Sequence, residues 1–287
     1  MANELLSVPV AISTLGIAGG AMAVICRAAK RYITSEKVPL MGILGAFIFA
    51  AQMVNFQLPL MPGTSGHLVG SVLLAIILGP HLGAIVITSV VILQCLIFQD
   101  GGILAIGCNI INMGLVPSYI GYGVYRVINP STCGGCHPSS GKAWRVYLAS
   151  ICACIIGIES GAMLVPVEAV MSGVLSVPFK TFFLTMAGVH VLVGLVEGVV
   201  TAAVLGYLQK VRPDIVANML PGKVRWSKKA VMATFVIATV IIGAGLSLLA
   251  SEFPDGLEWS YFERPDQPDF KPVVHNESLV IAAADAA

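Results

Sequence analysis

The stretch Pro62-Gly-Thr-Ser-Gly-His67, running straight into Leu68-Val-Gly-Ser-Val-Leu-Leu-Ala-Ile-Ile-Leu-Gly-Pro80, decides how the chain is read. A charge-free, glycine-punctuated connection ends in a histidine and opens into an apolar run of only about 13 residues. At about 1.5 Å per residue that run is too short to cross a hydrocarbon core of about 30 Å. Such a helix reaches the far face only if it begins below the membrane surface, in a protein-lined or watery cavity where irregular backbone is tolerated. His67 is therefore expected to be recessed.

The composition fits that setting. Apolar residues make up 57% and charged residues 11% of the chain, with a mean hydropathy of +0.90; soluble domains run at about 45–50% apolar and about 25% charged. Apolar runs of about 20 residues recur from end to end, so the expected fold is an all-α polytopic transmembrane helical bundle with about seven core helices plus one C-terminal helix. The predicted runs are roughly 8–26, 39–58, 68–80, 83–98, 103–127, 146–171, 179–208 and 230–251. Residues 1–210 are expected to form the membrane domain, 211–229 a basic cytoplasmic linker, and 230–287 a single helix with an acidic, proline-containing tail. The chain start lacks a cationic segment and a small-residue cleavage site, so it reads as the beginning of the first helix. A net charge of +1, without a basic stripe interleaved with aromatics, gives no nucleic-acid signal.

Lysines and arginines fix the expected orientation. Arg27, Lys30, Arg31 and Lys37 fall in the first loop, Arg126, Lys142 and Arg145 in the fifth, and Lys210, Arg212, Lys223, Arg225, Lys228 and Lys229 in the seventh. These loops belong inside; the opposite loops carry only Lys180. Both termini, the His67 turn and the Asp100 turn then face outward, as suits a site that captures a solute before uptake.

Polar groups at membrane depth are costly and are functional candidates, each with a structural alternative. The imidazole of His67 suits nickel, cobalt, copper or zinc; alternatively it is a helix-start histidine bonded to a neighbouring carbonyl. His190, Gly194 and Glu197 share one helix face, with imidazole and carboxylate about 10 Å apart along it. They can orient ligands, relay protons or staple two helices, the staple being favoured for Glu197. Asn109 and Asn112 can satisfy nearby backbone or wall a cavity, with packing preferred for Asn112. Gln52 and Asn55 read as interhelical glue. Glu159 and Glu168 sit in the sixth run, with Glu168 expected near enough to its outer end to reach water. Ser65 and His67 lack a third member to orient the histidine, which argues against a nucleophile. Without a phosphate-binding glycine loop, power from ATP requires separate subunits.

The seven cysteines lie mostly in apolar runs, where a thiol acts as a small hydrophobe, and imply no disulfide framework. Cys133-Gly-Gly-Cys136-His137 has the spacing of c-type haem attachment. Its expected inner location favours a reduced, solvated loop or incidental metal binding, and no second ligand pair is nearby for a closed zinc site.

Four motifs, in order, resemble the CbiM/NikM family of substrate-specific membrane components of cobalt and nickel energy-coupling-factor transporters. They are Val38-Pro-Leu-Met-Gly-Ile-Leu-Gly-Ala-Phe-Ile-Phe-Ala-Ala-Gln-Met-Val-Asn-Phe56, Gly63-Thr-Ser-Gly-His-Leu68, Phe98-Gln-Asp-Gly-Gly102 and Gly107-Cys-Asn-Ile-Ile-Asn-Met-Gly114. His190-x-x-x-Gly-x-x-Glu197 is similar to the family's late helix motif, and Pro254-Asp-Gly-Leu-Glu-Trp259 resembles the PDGLE segment of its small companion component. The resemblance covers about residues 1–210. It implies uptake of Co²⁺ or Ni²⁺ as cargo, with no prosthetic group and no catalysis on the substrate. The ion would be held by the N-terminal amine of Met1, a backbone amide and imidazole of a second-position histidine, and the turn histidine, here His67. Ser65, Asn109, His190 and Glu197 are expected around that site.

The beginning departs from the family pattern: Met1-Ala2-Asn3-Glu4 lacks the second-position histidine. Either the start lies two residues upstream, the favoured expectation, or the chain binds metal weakly or not at all. The implied partners are a CbiQ/NikQ-like membrane subunit, CbiO/NikO-like cytoplasmic ATPases, a CbiN/NikN-like small subunit and membrane lipid, in a bacterial or archaeal inner membrane. The rivals are a membrane enzyme using His190 and Glu197 as acid and base, and a structural or regulatory partner working through the PDGLE tail.

Overall fold

The structure, a computed structural model, describes residues 5–58, 65–98, 100–130, 143–175, 177–215, 225–245, 248 and 250–251. Helix α1 (Val8–Ala29) begins with a proline in its first turn, where the missing N–H costs nothing. Helix α2 (Lys37–Gln52) follows, and here the structure departs from the predicted run to Leu58. The chain leaves the helix after Gln52, and Phe56–Gln57 (β1) pairs antiparallel with Ser65–Gly66 (β2), Phe56 opposite Gly66 and Gln57 opposite Ser65. The apolar character continues past Gln52 because this small hairpin also lies against the bundle, where paired strands satisfy backbone that lipid would leave bare.

Helix α3 (Ser71–Leu78) has 8 residues, all buried, and is shorter than the predicted run. Gly70 at φ 78 and Gly79 at φ 93 bracket it, since only glycine takes up these left-handed corners cheaply. A side chain at Gly70 would also meet Ile48 Cδ1 at 2.5 Å. Helix α4 (Pro80–Leu93) ends in a π-helical turn, Gln94–Phe98. A second π turn, Ile110–Leu115, joins α5 (Ile106–Asn109) to α6 (Val116–Ile128). The sixth predicted run is broken at Met163 into α7 (Ala143–Ala162) and α8 (Leu164–Ser172). Then come α9 (Phe179–Val211) and α10 (Lys228–Ala244).

Among the described residues, Val8–Ala29, Pro80–Phe98, Trp144–Ser172 and Phe179–Val211 are long and apolar enough to cross a membrane, while Lys37–Gln52 is apolar but shorter. Large apolar side chains such as Ile17, Val24, Leu184, Val199 and Val240 point outward, as they do where the solvent is lipid. The chain is an all-α, multi-pass membrane bundle.

Short α3 sits at its centre, packed against α4 and α6, and α7 lies between α6 and α9. The α7–α9 contact depends on two glycines one turn apart. A Cβ at Gly198 would stand 2.6 Å from Ile151 Cα, and one at Gly194 would stand 2.8 Å from Ile155 Cα. Small residues let helix backbones approach where no hydrophobic force drives them together. The C-terminal α10 lies along α2, with Phe235 edge-on to Phe47, and is tied at both ends. Lys228 pairs with Glu36, and Ser251 N donates to Asn55 O at 2.8 Å. At the end of α3 away from the hairpin, Tyr32, Lys37, His81 and Arg126 border one cavity, so loops rich in basic residues gather at the same end of the bundle.

Gly198→Leu should force α7 and α9 apart and cost about 1–3 kcal/mol by overpacking. A clear fall in the melting temperature of detergent-solubilised protein is the expected result. Gly188→Leu, on the same helix at an exposed glycine with open space around it, should change it little.

Candidate functional site

A helix start exposes backbone N–H groups that nothing inside the helix can satisfy. In this bundle the backbone leading into α3 is buried as well, and three other elements hold it and the side chain of the first helical residue. From α9, the carboxylate of Glu197, 2% exposed, accepts from Val69 N at 2.6 Å and Gly70 N at 3.0 Å. From α2, Gln52 Nε2 donates to Val69 O at 2.7 Å, and Gln94 Nε2 holds Gln52 by donating to its Oε1 at 2.7 Å. Ser71 Oγ donates to Met113 O in the second π turn. The hairpin is pinned as well: a Cβ at Gly66 would meet Val193 Cγ2 at 2.7 Å, and Leu58 packs with Val189 and Val193.

This scaffold puts His67 on the wall of a cavity of about 110 Å³, together with Gly66, Asn109, Asn112, Gly161 and His190. His67 Nδ1 lies 3.2 Å from Leu68 O, and His190 Nδ1 lies 2.8 Å from Met186 O. A carbonyl only accepts, so each neutral ring carries its proton on Nδ1 and its lone pair on Nε2. The two asparagines are buried, at 4% and 5% exposure. Leu5, fully buried, belongs to one apolar cluster with Ala162, Val165 and Met186, which themselves border the cavity. The described chain therefore begins against the wall of the site.

The remaining candidates divide. Glu197 shares a helix with His190 but is not on the cavity wall; it is the staple between α9 and the start of α3. Ser65 is buried in β2, away from the lining. Gln52 bonds between elements, and Asn55 lies in the connection after α2, where its carbonyl accepts from Ser251 N. Glu168 does not reach water. It is 7% exposed, because the break at Met163 lets α8 carry it to Asn112, whose Nδ2 donates to Glu168 Oε2 at 2.7 Å. Glu159 is half-buried in α7, its Oε2 without a hydrogen-bond partner among the described residues. Met1, Pro62–Thr64, Cys133, Cys136, His137 and Pro254–Trp259 lie outside the described residues.

Sequence reasoning missed Gln94, Ser71 and Gly161. Gln94 had a signal, a carboxamide inside an apolar run like that of Gln52. Gly161 had none: its place against the Asn112 carbonyl depends on how α7 crosses the π turn. The lining among the described residues offers two imidazoles and two carboxamides and carries no formal charge. Among those residues no group of three or more His, Cys, Asp or Glu forms a closed ligand cage. Neutral nitrogen and oxygen donors in so small a space suit a single borderline divalent ion better than an organic solute or an anion.

Comparison with known proteins bears on the same region. Residues 1–215 match the family described as CbiM, cobalt uptake substrate-specific transmembrane region, and residues 229–274 match the PDGLE domain. A protein of Archaeoglobus fulgidus named "Putative fused nickel transport protein NikMN" is 38% identical over 214 residues, covering 74% of this chain and 65% of the relative. One of Lactiplantibacillus plantarum named "Probable fused nickel transport protein LarMN" is 33% identical over 229 residues, covering 78% of this chain and 66% of the relative. The chain thus spans just under two thirds of the length of each of these curated relatives. A crystal structure of a truncated transition metal transporter superposes with a TM-score of 0.62 at 27% identity, covering 73% of this chain and 98% of the other.

Glu197→Ala should strand two backbone donors inside the bundle, at about 1–3 kcal/mol each. The expected outcome is a lowered melting temperature together with faster proteolysis near the hairpin. Glu197→Gln, which keeps one carbonyl acceptor but turns an NH₂ toward a donor, should fall between.

Proposed function

The chain belongs to the CbiM family of cobalt-uptake substrate-specific transmembrane regions, and from that premise we propose that it is the substrate-binding membrane subunit of an energy-coupling-factor ABC transporter importing Co²⁺ or Ni²⁺. The observation that carries this reading is the position of His67 on the wall of a small, uncharged cavity lined by nitrogen and oxygen donors, at the head of a helix too short to span. The hydrated ion enters from the outer face, exchanges water for nitrogen ligands and is enclosed beneath the 62–67 turn.

In this reading His67 Nε2 is one ligand and the amine of Met1 another. The support for a contribution by the chain start is Leu5, which shares an apolar cluster with residues that border the cavity. The family's second-position histidine has no counterpart here, where Ala2 follows Met1. Nitrogen ligands suit the tetragonal preference of Ni(II), and geometry as well as affinity must do the selecting. Ser65 and Glu197 act from behind, by holding the hairpin and the start of α3 in place.

Inward release belongs to a coupled membrane subunit and cytoplasmic ATPases, since no phosphate-binding loop occurs in the sequence. We assign residues 1–210 to metal binding, 211–229 to a cytoplasmic linker, and 230–287 to a helix with its PDGLE-like tail, the fused counterpart of a small companion subunit. The docking of α10 along α2 supports this division. The expected location is the plasma membrane of a bacterium or archaeon, with the His67 turn and both termini outside. Acid–base catalysis by His190 and Glu197 is disfavoured, because both Glu197 oxygens are engaged by backbone N–H groups.

His67→Ala should weaken Ni²⁺ and Co²⁺ binding by more than the roughly 10–100-fold that loss of an outer-sphere partner costs, with the protein still folded, as read by isothermal titration of the purified chain. Unchanged affinity for both ions would contradict the assignment. Binding by the unsubstituted protein should weaken steadily as the medium is acidified, because protons compete with the metal for the same nitrogens.

A further inference from the structure

The capture site leaves a buried polar pair without a task. Asn112 and Glu168 lie 56 residues apart in sequence and meet through the 2.7 Å hydrogen bond from Nδ2 to Oε2. The other polar atom of that amide, Oδ1, is buried and has no hydrogen-bond partner among the described residues. Asn112 borders the cavity shared by His67, Asn109 and His190. An amide oxygen stranded from water is costly, and this one belongs to a residue of the cavity wall.

The orientation of this amide is built in. A carboxylate oxygen only accepts, so Glu168 takes the NH₂ side and turns Oδ1 away from itself. Glu168 itself is held at depth by α8, 7% exposed. At Asn112 the helix opens into the π turn Ile110–Leu115, a local form that re-aims side chains and recurs at functional sites. Gly161 of α7 lies so close to the Asn112 carbonyl that no Cβ fits between them, which fixes the backbone of the turn as well.

We propose that Asn112 Oδ1 is an oxygen contact to the coordination sphere of the cargo ion, and that Glu168 is the positioning residue that aims it. This rests on the cavity being the metal site. An oxygen added to a set of nitrogens raises the coordination number on offer. Ni²⁺ is content with a planar four-coordinate set, whereas Co²⁺, taking five or six ligands, gains more from it. Asn112 thereby becomes a determinant of the choice between two ions that the nitrogen ligands alone treat alike.

The test is titration of the full chain with CoCl₂ and NiCl₂ separately, with the visible d–d absorption of bound Co²⁺ recorded at saturation. Asn112→Ala is expected to weaken Co²⁺ binding about 10-fold or more, to weaken Ni²⁺ less, and to shift the Co²⁺ bands. Glu168→Ala, which leaves Asn112 in place but unaimed, should do the same, and the double variant should lose little beyond either single one. Glu168→Gln retains a carbonyl oxygen that accepts from Nδ2 and should recover most of the affinity. If Asn112→Ala does not yield folded protein, Glu168→Ala and Glu168→Gln decide the matter.

Equal losses for both ions with unshifted bands would assign the pair to packing and overturn the proposal, as would Glu168→Gln binding as poorly as Glu168→Ala. If both alanine variants bind like the parent while His67→Ala abolishes binding, this inference fails and the capture site stands. If His67→Ala has no effect, the capture site itself fails.

Discussion

A chain that turns into a helix inside a membrane bundle needs partners for the N–H groups just ahead of that helix, and here the carboxylate of Glu197 supplies them at Val69 and Gly70. In water those donors would find solvent; in hydrocarbon each unsatisfied one costs several kcal/mol. A carboxylate with two donors turns that liability into a fixed point. The hairpin, His67 and the short α3 all hang from it, and the Gln94–Gln52–Val69 relay holds the same backbone from the other side. Because Glu197 sits on α9, the glycines at 194 and 198 that set α9 against α7 also determine where the head of α3 is held.

The result is a division of labour across the site. Charge stays behind the cavity: Glu197 is spent on backbone, and Glu168 on Asn112. The described wall itself presents imidazole nitrogens and carboxamides. A ring of carboxylates there would hold any divalent cation by charge alone, whereas neutral nitrogens discriminate by ligand type and geometry. That is the behaviour the proposed capture and release of a divalent ion requires.

Much of the fold was legible because the membrane allows so few solutions. Composition and run lengths predict the helical bundle, and the shortfall at Leu68–Pro80 marks α3 as recessed before any contact is known. His67 and His190 could be singled out because imidazoles are scarce in such runs. What the sequence hid were the places where apolar character continues while the backbone changes form. Residues after Gln52 are apolar enough for helix but pair as a strand, and the break at Met163, although flanked by Gly161 and Pro166, lies inside an apolar run that continues unbroken. Glu168 was expected at the surface for that reason, since a straight sixth helix would carry it there. Likewise, the period of an ideal helix does not reveal a π turn, so Asn112 read as packing.

The central claim is that the space beneath the hairpin is where the cargo ion sits, with His67 bound to it. Anomalous diffraction at the nickel absorption edge, from crystals of the full chain grown with NiCl₂, measures this most directly. The account predicts a strong peak within the cavity bordered by His67, Asn109 and His190, within bonding distance of His67 Nε2. Stoichiometric nickel with its peak elsewhere, and nothing in that cavity, would contradict it.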